Sequence, residues 1–548
     1  MRSFVVPSPV APFFALSGVL TVGLAVGCSG TGPSSDDPGT GGAITGADGG
    51  TRDSGSSATG DGGTSTSPQK DGSTETPGTG DGGTPTGPAP KPPGEPAIKR
   101  GESFFGSTEK FNRYYTDRTW TPSKTIYVSA SGNGDGTTRD TPMSATAGIA
   151  AAKPGTKVVF TKSTTAYQGC YELDEGGTYE APIVIYAERN DDGTRGVEVK
   201  CCGTGRQTCF NLEAADYVAI DGFKVTGGFY GVRAVGSDFG AADHQKGVAI
   251  LHVEGGGQSK DPVLSGHSDW LVAEDVLAHH AGSGDGHGIY LSNGSDWNIV
   301  RNVETHSNAN SDFQVNADPE FACAGIDVMG AECSGSANEG KGRGASEFFL
   351  IENNFFHHDS VGPNFTSLRN SVIRNNFSGI HTKHGTSFWQ ETQNPALGAH
   401  HNTVEHNVFV GSNNRHALQF IENSGSNVVR NNLLVGVAVN GTNVTGSTTP
   451  ILMEVDGTVS SNTYEGNFYV AGQLDGRTPG SNEFTQATFD AAWFTAFPTV
   501  LAGATFEGMV PKTGAPFLDK GAKLTTTATD ASGRDRASPS DLGPFEAR

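Results

Sequence analysis

Four copies of one pattern stand in the second half of the chain: LIENNFF (Leu350 to Phe356), VIRNNFS (Val372 to Ser378), TVEHNVFV (Thr403 to Val410) and VVRNNLLV (Val428 to Val435). Each copy alternates apolar side chains over a short strand and then places an Asn at a turn. The asparagines at the second turn position are Asn354, Asn376, Asn407, Asn432 and, from a looser copy, Asn467. Their spacing is irregular, which is typical of stacked coils that share a core but differ in loop length.

This pattern has a direct physical interpretation. Alternating β-branched and aromatic residues send one face of each strand inward. Asn tolerates the left-handed backbone conformation that a tight bend requires. Coils stacked about 4.8 Å apart would bring the turn amides into a hydrogen-bonded ladder. The sequence therefore predicts an all-β solenoid whose coils each contribute one turn Asn.

These copies resemble the right-handed parallel β-helix, the pectin-lyase-like fold. TIYVSASGNGDGTTRDTPMSATAGIAAAKPGTKVVF (Thr125 to Phe160) is similar to the entry of such proteins. There a first strand, a short Ala-rich capping helix and a Pro-Gly turn lead into the first coil. The resemblance implies a single-stranded right-handed parallel β-helix over 101–445, with its last coils and C-terminal cap over 446–548.

The N-terminus predicts export. Arg2 and the apolar run from Val10 to Val26 indicate a signal peptide over 1–27. LAVGC, ending at Cys28, resembles a bacterial lipobox, which implies lipidation of Cys28 and an outer-membrane or cell-surface lipoprotein. Ordinary secretion is the alternative. The Gly-, Ser-, Thr-, Pro- and Asp-rich segment 28–100 cannot bury enough apolar surface to fold, and we expect a disordered tether.

Composition restricts the partners. The 548 residues include 37 basic and 59 acidic ones, for a formal charge of −22. This charge excludes a general nucleic-acid binder, which needs a basic surface. An acidic polysaccharide as substrate would require a local basic cluster. We expect a monomer, held at a membrane only by its lipid anchor.

Beside Cys28 the chain has six cysteines, an even number that favours disulfides in an exported protein. Cys323 and Cys333 would close a short loop and are the predicted pair, although sequence alone does not determine connectivity. Zinc is the alternative, but the cysteine spacings match no zinc site.

One stretch of the chain concentrates polar candidates. All fifteen His lie between His244 and His416. Stacking HGIYLS (from His287), DFQVN (from Asp312), IHTKHG (from Ile380) and ALQFIEN (from Ala417) predicts an outward row of Tyr290, Gln314, His381 and Gln419. A second outward row would hold Ser292, Asn316, Lys383 and Ile421, with His384 and Glu422 beside it and Trp389 on the adjoining loop. Such a face suits a sugar chain, although a merely solvated outer face is the alternative for each residue.

The segment from Ile380 to Gly385 resembles the part of chondroitinase-B and alginate-lyase type enzymes that ends in Arg-His-Gly. In those enzymes a Lys removes the C5 proton of a uronate and the Arg of the motif assists. The resemblance implies that Lys383 takes the Arg position and His384 the His position. The family's Lys on the preceding coil is absent, since that coil has Asn364-Phe365-Thr366-Ser367. Lys383 is therefore predicted as base or charge neutraliser, with His381 and His384 as acid–base candidates.

The leading functional hypothesis is thus a polysaccharide lyase, with Tyr290, Gln314, Trp389, Gln419 and Glu422 as substrate contacts. A non-catalytic protein that binds glycans or the cell envelope is the alternative. A glycoside hydrolase is a second one, because Gly286-His287-Gly288 resembles a polygalacturonase motif; Asp285 and Asp312 would be its carboxylates. The sequence identifies no cofactor with certainty. Calcium is an option at Asp191-Asp192 or Asp318-Glu320, and the spacings predict no other metal site.

Overall fold

The computed structural model describes residues 110–117, 119–201, 207–237, 244–282, 284–317, 345–390, 398–411, 415–436, 450–454, 462–475, 477–522 and 524–547. In this part of the chain, three long sheets are built from parallel pairs only. Successive strands pass from sheet 1 to sheet 2 to sheet 3 and then return to sheet 1. Each coil therefore adds one strand to each sheet. This arrangement fits the right-handed parallel β-helix, the hand that parallel crossovers nearly always take.

Strand bounds follow the coils closely. In order along sheet 1 the strands are Met143–Ser144, Lys124–Ser129, Thr156–Phe160, Ile183–Ala187, Val218–Asp221, Ala249–Leu251, Val272–Glu274, Ile299–Arg301, Leu350–Glu352, Val372–Arg374, Thr403–Glu405, Val428–Arg430 and Thr463–Glu465. In sheet 2 they are Tyr167–Gln168, Glu198–Cys201, Lys224–Gly227, Glu254–Gly256, Leu277–His279, Glu304–His306, Phe355–His357, Phe377–Gly379, Val408–Val410, Leu433–Val435, Phe468–Val470 and Phe484–Gln486.

Sheet 3 carries the face on which the candidate site lies. Its strands are Tyr171–Glu172, Thr208–Asn211, Tyr230–Val235, Val263–Gly266, Ile289–Ser292, Phe313–Asn316, Asn364–Thr366, Thr386–Trp389, Leu418–Phe420, Pro450–Glu454 and Gln473–Asp475. Two short pairs lie at bends, Gln245–Lys246 with Ser268–Asp269 and Ser346–Glu347 with Leu368–Arg369.

The interior is a continuous apolar column. In one coil, Ile351 of sheet 1, Phe356 of sheet 2 and Phe365 of sheet 3 are each at most 1% exposed and pack in the same cluster. Burial of side chains of this size contributes roughly 1.5–3 kcal/mol each. The alternation in the sequence predicted that one side of these strands would face the core, and the structure confirms it.

The Asn ladder is present, with a correction to its geometry. Asn354, Asn376, Asn407 and Asn432 each donate their backbone N–H to the side-chain oxygen of the next asparagine, at 2.9–3.0 Å. The left-handed conformation belongs instead to the residue before each ladder position, for example Asn375 and His406, with φ of 56° and 55°. The first residue of each turn makes the bend, and the second bonds the coils together.

A second ladder lies at the opposite end of sheet 1. Asn402 donates its backbone N–H to the side-chain oxygen of Asn427, and Asn427 to that of Asn462, both at 2.9 Å. Ser371 joins the same ladder through Asn402. Both ends of the sheet 1 strands are thus held by side-chain amides over the last coils.

The N-terminal end of the described chain contains two short helices, Arg113–Thr116 and Ala145–Ala150. Ser144 caps the second helix by accepting a hydrogen bond from the Ala147 N–H at 3.3 Å. A side chain at Gly148 would come within 2.2 Å of Val128, so only glycine lets the helix pack this closely on the first strand. The helix lies within the predicted entry segment, and its role as a cap stays a prediction.

A disulfide joins Cys170 and Cys201, which are 31 residues apart. It connects the bend before a sheet 3 strand to the end of a sheet 2 strand in the first coils. The predicted pair of Cys323 and Cys333 lies outside the described residues, as do Cys28, the signal peptide and the tether.

Two segments outside the coils pack on two of the three outer faces. Phe111 and Tyr115 pack on sheet 1, where the Phe111 ring lies 5.4 Å from that of Trp270. Residues 484–522 and 524–547 pack on the last strands of sheet 2, where Phe497 and Phe517 contact Phe377 and Phe468. This covering segment contains the strand Phe484–Gln486 and the 3-10 helices Ala491–Trp493 and Phe506–Met509.

Candidate functional site

Two rows of side chains run along the outer face of sheet 3. The register places the first row at Leu264, Tyr290, Gln314, Asn364, Ser387 and Gln419. The same register places the second row at Gly266, Ser292, Asn316, Thr366 and Trp389. The residues between the rows, such as Val315, Phe365 and Phe388, point into the core. Tyr290, Gln314 and Gln419 therefore lie in one row.

The predicted position of the Ile380–Gly385 segment in these rows is wrong. The sheet 3 strand of this coil is Thr386–Trp389, in which Ser387 pairs with Gln419. Ser387 therefore occupies the place expected for His381, and Trp389 that expected for Lys383. The reason is the bend. Ile380 takes a left-handed conformation, with φ of 62°, and the chain needs five more residues to reach the next strand.

His381 is not on the surface. It has no exposed area, and its Nδ1 lies 3.3 Å from Oδ2 of the equally buried Asp312. Its Nε2 contacts the Ser378 hydroxyl at 3.2 Å. Burial lowers the pKa of His381 to about 3, so it is a neutral core side chain. The predicted outward position of His381 is therefore wrong, and its side chain presents no surface to a polymer.

Lys383 and His384 do lie at the surface, at the edge where the chain enters sheet 3. This edge carries a column of residues in register, which we call the edge column: Asp261, His287, Ser311, Val361, His384 and His416. Lys383 is exposed and His384 is half-buried. Burial and the charges of Arg415 and Lys383 lower the pKa of His384.

His416 extends this group and was missed in the sequence. Its ring lies 5.9 Å from that of His384, and its Nε2 contacts the Ser387 hydroxyl at 3.2 Å. Burial, His384 and Arg415 together lower its pKa to about 3. The neighbouring Arg415 is exposed. The edge thus combines two exposed cations with two imidazoles that remain neutral at pH 7.

The first row is joined by hydrogen bonds. The side-chain oxygen of Gln314 accepts from Ser311 at 3.3 Å and from Asn364 at 2.8 Å. Gln314, Ser387 and Gln419 are each at most 8% exposed, so these side chains present little surface to solvent.

The second row differs because its polar atoms lack partners. Asn316 Oδ1, Thr366 Oγ1 and Trp389 Nε1 are buried and form no hydrogen bond within the described part of the chain. The three residues are direct neighbours in register. Along the row, Asn316 offers an acceptor, Thr366 a hydroxyl and Trp389 a donor. Unpaired buried polar atoms cost about 1–3 kcal/mol each. Asn316 is 8% exposed and Thr366 has no exposed area, so these groups would meet a ligand only after the side chains around them move.

Glu422 lies just beyond the strand Leu418–Phe420, in a left-handed conformation with φ of 51°. It is partly exposed and stays a predicted contact.

The carboxylates proposed for a hydrolase do not form a pair. Asp285 is exposed and lies 3.7 Å from the Lys260 ammonium. Asp312 is sealed in the interior, where it accepts a hydrogen bond from Thr305 at 2.7 Å. Inverting hydrolysis needs two carboxyls that face one water, and these two do not.

Acidic groups proposed for calcium are engaged elsewhere or not described. Asp191 forms an ion pair with Lys162 at 2.6 Å, and Asp192 accepts hydrogen bonds within its own turn. Asp318 and Glu320 lie outside the described residues. Among the residues that are described, no three His, Cys, Asp or Glu side chains form a metal-binding group. Nor does any helix there have the length and apolar character to span a membrane.

Comparison with known proteins gives likenesses of fold. No family model matches the chain, and no curated protein matches it. Among solved structures, the pectate lyase Pel9A is 16% identical over 78% of this chain and 98% of its own, with a TM-score of 0.40. XylC in complex with xylose is 9% identical over 77% and 98%, with a TM-score of 0.47. An alginate lyase from Paenibacillus sp. is 13% identical over 67% and 100%, with a TM-score of 0.31. The parallel sheets and repeated coils, rather than these distant likenesses, identify the fold as that of a right-handed parallel β-helix.

Proposed function

We propose that the chain is a surface-tethered carbohydrate-active protein that binds an acidic polysaccharide along sheet 3 and cleaves it by β-elimination. The observation that carries the proposal is the run of unpartnered polar atoms on Asn316, Thr366 and Trp389. Adjacent strands lie about 4.8 Å apart, so the run offers one hydrogen-bonding group per coil. Once the side chains that cover them move, successive hydroxyls of a sugar chain would pair with these groups and remove the cost of leaving them unsatisfied.

The charge distribution favours an acidic polymer. The chain carries −22 overall, yet Lys383 and Arg415 stand together at the edge column. Such a cluster would attract uronate carboxylates against the global field. In this proposal Lys383 attracts and holds a carboxylate of the polymer, and His384 is an acid–base candidate.

Absorbance near the unsaturated-uronate band tests the reaction directly. The full chain is mixed with alginates, pectates and glycosaminoglycans, and each mixture is assayed for absorbance and for retention of the polymer. A rise with one polymer supports elimination and identifies the substrate. Retention without a rise supports the alternative, a non-catalytic glycan-binding protein. The absence of the family's Lys from Asn364-Phe365-Thr366-Ser367 also favours that alternative. The proposal is contradicted if no polymer gives a rise in absorbance and none is retained.

The second row provides a sharper test of binding. Thr366→Val removes a hydroxyl that has no partner in the described chain, so the free protein should be as stable as wild type or more so. Polymer affinity should nevertheless fall about 2–10-fold, as expected for one lost hydrogen bond. The matched control is Thr226→Val on the outer face of sheet 2, where the hydroxyl bonds to Glu198. Unchanged affinity in Thr366→Val would separate the second row from the binding site.

A further inference from the structure

His287 lies in the edge column three coils before His384. Its Nδ1 is 2.6 Å from the Ser311 hydroxyl, one of the short contacts of this face. The side chain is 7% exposed, and its Nε2 makes no hydrogen bond with any described residue. The contact between Nδ1 and Ser311 therefore holds the ring, while Nε2 has no partner in the described part of the chain.

The hydrogen bonds of the first row determine which nitrogen carries the proton. Ser311 donates its only hydroxyl hydrogen to the Gln314 oxygen at 3.3 Å, and Asn364 donates to the same oxygen at 2.8 Å. With that hydrogen on Gln314, the Ser311 oxygen accepts from His287, which puts the imidazole proton on Nδ1 and a lone pair on Nε2. This tautomer is part of the proposal below.

Tyr290 connects His287 to the second row through two contacts. Its ring lies 5.0 Å from that of Tyr290. The Tyr290 hydroxyl in turn lies 3.5 Å from the side-chain nitrogen of Asn316, the first residue of the unpartnered run. Tyr290 thus lies between His287 and Asn316 on this face.

The charges that face His287 come from the preceding bend. Burial, and then the charge of Lys260, lower the pKa of His287 to about 3, so the imidazole is neutral over the working range of most enzymes. Asp285 is paired with Lys260. Asp261 accepts a hydrogen bond from the His287 backbone at 2.7 Å, and burial raises the pKa of this carboxyl to about 7. A bound uronate carboxylate would make the imidazole more basic than it is in the free protein.

We propose that His287 is the base of the elimination, with Nε2 taking the C5 proton, and that Ser311, Gln314 and Asn364 are positioning residues that hold its tautomer. The proposal rests on the proposed function. The C5–H electrons form the C4–C5 double bond, and the C4–O bond breaks with its electron pair. The leaving oxygen then takes the proton from the imidazolium, which restores the neutral base.

This assignment excludes Lys383 as the base for the same proton. His287 and His384 are three strand spacings apart in the edge column, about 14 Å at 4.8 Å per coil. Lys383, next to His384, would instead contact a carboxylate farther along the polymer.

The experiment compares wild type with His287→Gln and Ser311→Ala, and with His306→Gln as control, a histidine on the outer face of sheet 2. Product formation, polymer retention and the pH dependence of the rate are measured on the full chain. Imidazole nitrogen-15 chemical shifts report the tautomer of His287. We expect His287→Gln to lose at least 100-fold in rate with retention unchanged, as for the loss of a general base. Ser311→Ala should lose about tenfold and shift the tautomer signal, which a merely structural role would not move.

The outcomes separate this proposal from the one on which it rests. If wild type eliminates and His287→Gln does so at a similar rate, His287 is not the base, while the proposed function stands. A wild-type rate that rises steadily toward alkaline pH would indicate an amine base and also overturn the assignment. If wild type cleaves no polymer, the proposed function fails and the catalytic role with it. A signal from Nε2–H instead of Nδ1–H would overturn the tautomer assignment under any of these results.

Discussion

His381 Nδ1 lies 3.3 Å from Asp312 Oδ2, and neither side chain has any exposed surface. Asp312 interacts in turn with Asp359, whose carboxylate accepts hydrogen bonds from the backbone and side chain of Asn308. Burial, and then the Asp359 carboxylate, raise the pKa of Asp312 well above its usual range. Burial raises the pKa of Asp359 to about 6. The two carboxyls therefore share a proton at mildly acidic pH in a polar pocket beneath the sheet 3 strands.

Asp312→Asn should make the protein relatively more stable as the pH rises. In the unfolded chain both carboxyls ionise near pH 4, whereas the folded pair keeps its proton to about pH 6 or above. The folded state thus binds more protons in this window, and wild type loses stability as the pH rises through it. An amide at position 312 donates a hydrogen bond without a titratable proton, so the variant should lack this loss of stability.

Thermal unfolding of wild type and Asp312→Asn from pH 4 to 8 measures this effect. The two should be similar near pH 4, and the variant should gain up to about 3 kcal/mol by pH 8. Histidines titrate in both proteins, so the difference isolates the carboxyl pair. Asp191→Asn, on the surface, serves as control. A variant that becomes relatively less stable as the pH rises would contradict the shared proton.

His381 also shows which features of the structure could not be predicted from the sequence. The repeated VIRNNFS pattern predicts the coils and the Asn ladder because both depend on residues a few positions apart. The alternation rule failed at His381 because it assumes that a strand continues, whereas a left-handed residue at Ile380 starts a bend of unpredictable length. His416 and Thr366 gave no local signal, since their roles come from neighbours one coil away.

Asn407→Ala should cost about 3 kcal/mol of unfolding free energy. The Asn407 side chain accepts two hydrogen bonds from Asn376 and donates to the Ile373 carbonyl and to Asn432. All of these groups are buried, so alanine leaves several without partners. Denaturant unfolding at constant pH measures the loss.

The control for the ladder is Asn302→Gly. Asn302 has a positive φ of 50° but is not a ladder residue, and glycine adopts that conformation readily. We expect a change below about 1 kcal/mol. Equal losses in both variants would mean that backbone conformation, not the amide ladder, stabilises these turns.

Cys170→Ser with Cys201→Ser should destabilise the first coils. The disulfide closes a loop with a sequence separation of 31 residues, for which the loss of loop-closure entropy predicts about 3–4 kcal/mol. Because each coil contacts only its neighbours, amide exchange should quicken near the disulfide and remain slow in the coils around Asn407. Uniformly faster exchange along the solenoid would show instead that the chain unfolds as one unit.

Lys383→Ala should weaken binding of an acidic polymer more than it lowers the maximal rate. Lys383 is exposed beside Arg415 and is predicted to contact a substrate carboxylate. Its loss removes the attraction between the ammonium and that carboxylate, which dissolved salt also weakens by screening. Affinity should fall about 3–10-fold at low ionic strength, with a smaller difference from wild type near 0.5 M salt. Lys124→Ala, an exposed lysine on sheet 1, should bind as wild type does. Complete loss of elimination with affinity intact would instead make Lys383 the base and remove His287 from that role.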